Sequence, residues 1–166
     1  MTMSGITQGC QPLFSVYYGK YDLRSIRKIF LSALVSLFVT SLVFFVPAQV
    51  FPSSLIGLFL SKEDPEVFSL SIRALRLYSV SYLFLGYNIF VGGMMAALNK
   101  PRFGILISLS RGFVFIFLFL QLLKSLAPEF IWLAGSFSEV ATLLLTIFSI
   151  FRLKKELRST CLPERS

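Results

Sequence analysis

The stretch Ile29–Phe51, IFLSALVSLFVTSLVFFVPAQVF, carries no charged residue, and its one proline, Pro47, lies near its far end. About 20 apolar residues let a helix cross the hydrocarbon core of a bilayer, where backbone amides must find their partners within the segment. Read as a span, this run makes the chain a membrane protein. The proline is tolerated where neighbouring groups satisfy the carbonyl it frees.

The rest of the chain agrees. Of 166 residues, 55% are hydrophobic and 14% charged, with 19 phenylalanines and no histidine, and the mean hydropathy is +0.78. A soluble domain of this size cannot bury so much apolar surface. Three further runs are long enough to span, at about 75–98, 103–123 and 130–151. The expected fold is therefore all-α: a polytopic transmembrane helix bundle of four full spans, with a partial N-terminal helix over residues 1–19 ending at Gly19. Residues 1–151 form the bundle, and 152–166 form a basic cytoplasmic tail.

Ahead of the second span, Asp64, Pro65 and Glu66 supply a helix cap, a permitted first-turn proline and an anion at the positive helix end. A helix from Pro65 to Leu98 would overrun one crossing at about 1.5 Å per residue. Its first turns are therefore expected at the interface, with Arg73 and Arg76 snorkelling. The short links around Pro101 and Pro128 make consecutive spans antiparallel neighbours.

The net charge of +8 follows topology. Lys20, Arg24, Arg27, Lys28, Lys100, Arg102, Arg152, Lys154, Lys155, Arg158 and Arg165 fall on one side, against Lys62, Arg73, Arg76 and Lys124 on the other. Positive residues mark the cytoplasmic side, so both termini are expected in the cytoplasm, and the membrane is expected to be the plasma (inner) membrane. This distribution gives no support to nucleic-acid binding. Cys10 and Cys161 have no metal-ligand spacing, so no metal site and no cofactor are expected. The sequence has no phosphate loop and no nucleophile–base constellation, and it does not read as an enzyme.

Small residues recur every fourth position: Ser32, Ser36 and Thr40; Gly92 and Ala96; Gly93 and Ala97; Gly104, Ser108 and Gly112; Ala134, Ser138 and Thr142. Such stripes let helices approach closely in lipid, although polytopic chains are generally rich in glycine and serine.

The opening stretch, GITQGCQPLFSVYYGKYDLRSIRKI, is too short and too polar to span alone. It resembles the pattern G-x-x-Q-x-x-Q-P-x-x-S-x-x-Y-G, with a basic amphipathic segment following, in the C-terminal lobe of bacterial multidrug and toxic compound extrusion (MATE) transporters. The positions are Gly5, Gln8, Gln11, Pro12, Ser15, Tyr18 and Gly19, while Thr7 and Tyr17 depart from it. In order, LFLSKEDPEV resembles the family's extracytoplasmic loop, FLGYNIFVGGMMAALNKPR its tenth helix, ILISLSRG its eleventh and IWLAGSFSEV its twelfth. The resemblance implies part of the eighth helix and all of the ninth to twelfth of a two-lobed transporter, with Met1 starting inside a helix. It also implies alternating access about a central cavity, a cation-coupled antiport of amphipathic organic compounds, and a complementary N-terminal lobe or a second copy as partner. Some family members place a cation-binding carboxylate on the helix matching 75–98. That span has no Asp or Glu here, which favours the proton over sodium as coupling ion.

Within the spans only Arg111 and Glu139 are clearly ionisable, and intramembrane charges are functional candidates by default. Counted from the cytoplasmic ends of their spans they lie roughly 12 and 18 Å deep, within reach of each other. Paired, they are a structural element; an unpaired Glu139 facing the cavity is a coupling site. Asn88, Tyr87, Gln8 and Gln11 are candidates for a substrate-facing wall or for interhelical hydrogen bonds. Gly5, Pro12, Gly19, Gly92 and Gly93 are the motif positions with a backbone or packing role. The competing function is a small four-span membrane protein that serves as an oligomeric or assembly subunit without transport of its own.

Overall fold

The computed structural model describes residues 2–60 and 64–161, and side chains as far as Lys154. Met1, Lys62 and Arg165 lie outside the described residues, as do the side chains of Lys155, Arg158 and Cys161. Among the described residues the fold is helical throughout, in order α1 (Thr2–Gly19), α2 (Leu23–Val50), α3 (Pro52–Gly57), α4 (Pro65–Ser79), α5 (Tyr82–Ala97), α6 (Pro101–Leu109), a π-helical turn (Ser110–Phe115), α7 (Ile116–Leu126), a 3-10 turn (Pro128–Leu133) and α8 (Ala134–Cys161).

Three helical stretches are long and apolar enough to cross a membrane: Leu23–Val50, Pro101–Leu126 and Pro128–Lys154. The fourth crossing exists only if α4 and α5 together count as one span, for they bend by 46° at their junction. The outward faces carry exposed Val35, Phe38, Val39, Phe117, Leu144 and Phe148. An apolar surface of that extent has to meet lipid.

The bundle is organised around α5, which packs against α1, α2, α6 and α8. Phe90 of α5 is fully buried, with ring centroids 5.8 Å from Phe14 of α1 and 5.7 Å from Phe30 of α2. Small residues set how closely the neighbours come. A Cβ placed on Gly104 of α6 would stand 2.7 Å from the Gly92 carbonyl oxygen of α5, so the α5–α6 seam is a backbone-to-backbone contact. Gly93 meets α1 instead, against the side chains of Thr7 and Gln11.

Several boundaries differ from the sequence-based expectation. The first span starts earlier, at Leu23, because Asp22 caps it: the Ser25 amide donates to Oδ1 at 3.1 Å and the Ser25 hydroxyl to Oδ2 at 2.6 Å. Those two bonds hold the Asp22 carboxyl below the usual carboxylate range. Asp64 occupies the cap position of α4, yet its side chain makes no cap bond.

The second span, expected as one helix, is broken at Val80 and Ser81. Ser79 Oγ donates to the Arg76 carbonyl at 2.9 Å and Ser81 Oγ to the Tyr78 carbonyl at 2.7 Å. Gln49 of α2 donates to both the Arg76 carbonyl and Ser79 Oγ, each at 2.9 Å. Hydroxyls that bond back to the preceding turn compete with the helical ladder and bend it. The neighbouring amide then supplies a partner for the carbonyl freed at the break.

At the far end of the chain, α8 continues beyond residue 151 as helix to Cys161, so the first part of the expected tail extends the last helix.

Candidate functional site

A single polar cluster connects α5, the π-helical turn and α8. Asn88 is 1% exposed in the middle of α5. Its Nδ2 donates to Glu139 Oε2 at 2.8 Å and to the Glu139 carbonyl at 2.9 Å, and its Oδ1 accepts from Thr146 Oγ1 at 2.9 Å. One amide thereby fixes both the backbone and the side chain of α8. Its donors and acceptor are engaged as burial demands, since an unpaired polar atom there would carry its full desolvation cost.

Arg111 Nη1 lies 3.8 Å from Glu139 Oε1, with side chains 26% and 10% exposed. At that distance the two charges attract without forming a hydrogen bond. The carboxylate is thus gripped on one oxygen by Asn88 and faced on the other by the partly exposed Arg111 guanidinium.

Arg111 sits in the π-helical turn. A π turn widens the helix and displaces carbonyls from the regular ladder, a feature often found at functional positions. Here Ser138 Oγ of α8 donates to the Arg111 carbonyl at 3.0 Å. Thr142, fully buried, donates back to the Ser138 carbonyl at 2.8 Å. Thr146, Ser138 and Thr142 were not among the sequence-derived candidates. The signal for Thr146 was present, as it continues the stripe Ala134, Ser138, Thr142 by one more step of four.

The other candidates lie elsewhere. Gln11 Nε2 donates to the Gly93 carbonyl at 3.4 Å, and Ser15 Oγ donates to the Ala97 carbonyl at 3.1 Å, which ties α1 to α5. Tyr87 packs beside the buried core. Gln8 is exposed, on a face of α1 that also presents Gly5, Gly9, Pro12 and Gly19. A Cβ on Gly5, Gly9 or Gly19 would meet nothing within 4 Å. Burial of α1 is therefore confined to one face, that of Met3, Thr7 and Phe14. Among the described residues no helix packs on the other side.

The order of motifs, the broken span and the buried polar cluster can be compared with known families. The model of the MatE family matches residues 1–122. The chain belongs to that family. MatE proteins are membrane transporters, and the apolar helices described above make this one a multi-pass membrane protein. No curated protein and no solved structure matches the chain. Asn88 and Arg111 fall inside the MatE-matched residues, whereas Glu139 and Thr146 fall beyond them.

Proposed function

We propose that the chain works as a lobe of a proton-coupled antiporter that exports amphipathic organic compounds, with Glu139 as the group that carries the coupling proton. One observation bears most of this reading: the buried Glu139 carboxylate is hydrogen-bonded by Asn88 but faces Arg111 only across 3.8 Å, a looser pairing than the structural ion pair of the competing reading. When Glu139 is ionised, it holds Arg111 electrostatically across the α8 seam. When it takes a proton, that attraction ends while the Asn88 contact can persist, so the Arg111 side chain is released while the Ser138 hydroxyl keeps its carbonyl tied to α8. A change of protonation thereby becomes a change in helix contacts, which is what rocking between inward- and outward-open states requires.

One lobe cannot form both walls of a cavity. The exposed face of α1, with Gln8 among Gly5, Gly9 and Pro12, is where a complementary N-terminal lobe or a second copy would stand and where substrate would pass. Its small side chains leave room for either. The basic ends of the bundle face the cytoplasm in this scheme.

The test is export of a lipophilic cationic dye from inner-membrane vesicles that hold this chain with a complementary lobe, driven by an imposed proton gradient. Glu139→Gln keeps the shape and the Asn88 contact but cannot carry a proton, so gradient-driven export should fall to the background of vesicles lacking the chain. Export by that variant at the wild-type rate would remove Glu139 from the coupling step.

A further inference from the structure

A separate feature lies at the basic end of the bundle. Helices α2 and α8 both pack on α5 but not on each other, and the gap between them is a groove of about 320 Å³, within the range of roughly 300–1,000 Å³ typical of ligand pockets. Its floor and walls are apolar, formed chiefly by Phe30, Met94, Leu98 and Ile150, and two cations border it, Arg27 of α2 and Lys154 of α8. Among the described side chains, neither cation is within ion-pair distance of a carboxylate. Asp22, which precedes α2, is occupied by Ser25. Arg152 is also engaged, 5.3 Å from the Phe148 ring centre.

The positive-inside pattern alone would scatter cations around this end of the bundle. It does not explain why two of them, one from each of the flanking helices, line an apolar trough. We propose that the groove binds an anionic phospholipid from the adjoining leaflet, with an acyl chain on Phe30, Met94, Leu98 and Ile150 and the phosphate between Arg27 and Lys154. Basic pockets between spans recognise lipid headgroups in this way, and each interfacial cation adds attraction. A small soluble anion would leave the apolar trough unused. A second copy would bring its own basic end against this one, at a like-charge cost. The inference is independent of the transport reading, since none of these residues belongs to the Glu139 cluster.

Native mass spectrometry of the purified full chain, titrated with phosphatidylglycerol or phosphatidylcholine of the same acyl chains, tests it. Phosphatidylglycerol should be retained in preference to phosphatidylcholine. Arg27→Gln with Lys154→Gln should weaken its binding about thirtyfold, the effect of two interfacial cations. Arg73→Gln with Lys124→Gln, at the opposite end, should leave it unchanged. Ile150→Trp, which fills the trough without altering charge, should weaken it as well. The proposal is overturned if the two lipids bind alike, if the Arg27 and Lys154 changes do no more than the opposite-end pair, or if Ile150→Trp has no effect. It is also overturned if inorganic phosphate displaces the lipid at equal concentration, or if neither lipid binds because a protein segment covers the groove.

Discussion

Replacing Arg111 with Met should destabilise the bundle by about 3 kcal/mol at neutral pH, because removing one partner leaves the other as an uncompensated charge in a low-dielectric interior. The lower end of the range for buried pairs is appropriate, since Arg111 is 26% exposed and the pair stands 3.8 Å apart without a hydrogen bond. Adding Glu139→Gln should restore most of the loss: glutamine still accepts from Asn88 and has no charge to orphan. The deficit of the single variant should also shrink at a pH low enough to protonate Glu139, because the neutral acid needs no counter-ion. Thermal unfolding in lipid nanodiscs of the wild type, both single variants and the double variant gives the coupling energy directly. Additive losses in the double variant would mean that the two charges do not act on each other.

The second large effect is expected from one methyl group. Gly104→Ala puts a Cβ 2.7 Å from the Gly92 carbonyl oxygen, and a backbone atom cannot step aside as a side-chain end can. The α5–α6 seam must open, at a cost of about 1–3 kcal/mol by the usual scale of overpacking. In lipid the loss falls on close packing, which is what holds helices together there. Gly112→Ala, two steps along the same stripe, meets nothing within 4 Å and should leave stability nearly unchanged. Unfolding midpoints of the two variants measure the contrast, and equal midpoints would contradict the close approach of Gly104 to Gly92.

That contrast marks where the sequence stops being informative. Gly104 and Gly112 share one period-four pattern, and nothing in it tells which glycine meets another backbone. Long features were legible because they follow from bulk physics. Twenty apolar residues have few fates besides a membrane helix, so the runs from Phe103 and Phe130 each fall within an observed helical stretch and the run from Ile29 overruns its helix by one residue, Phe51. Local breaks were not legible. Ser79, Val80 and Ser81 look unremarkable inside an apolar run, and they bend the span because Gln49, thirty residues earlier, is placed to satisfy the exposed carbonyl. The π-helical turn at Arg111 likewise depends on Ser138 from another helix.

The candidate site was half legible. Rare intramembrane charges drew attention to Arg111 and Glu139 on cost alone. Asn88 entered only as one of several uncharged polar residues, and its central place emerges from geometry: a single amide reaching Glu139 twice and Thr146 once. Gln8 had equal standing in the sequence and lies on an exposed face with no part in that cluster.

The claim on which the functional reading rests is that Glu139 gains and loses a proton inside the bundle, in contact with Asn88. Infrared difference spectra of the protein in nanodiscs, recorded between high and low pH, read this directly. Among the carbonyl bands that the eight acidic side chains give on protonation at low pH, one should be lost in Glu139→Gln and change frequency in Asn88→Ala, where the amide donor to Oε2 is lost. Identical bands in wild type and Glu139→Gln would show that the titrating carboxyls lie elsewhere, and the coupling role given to Glu139 would be wrong.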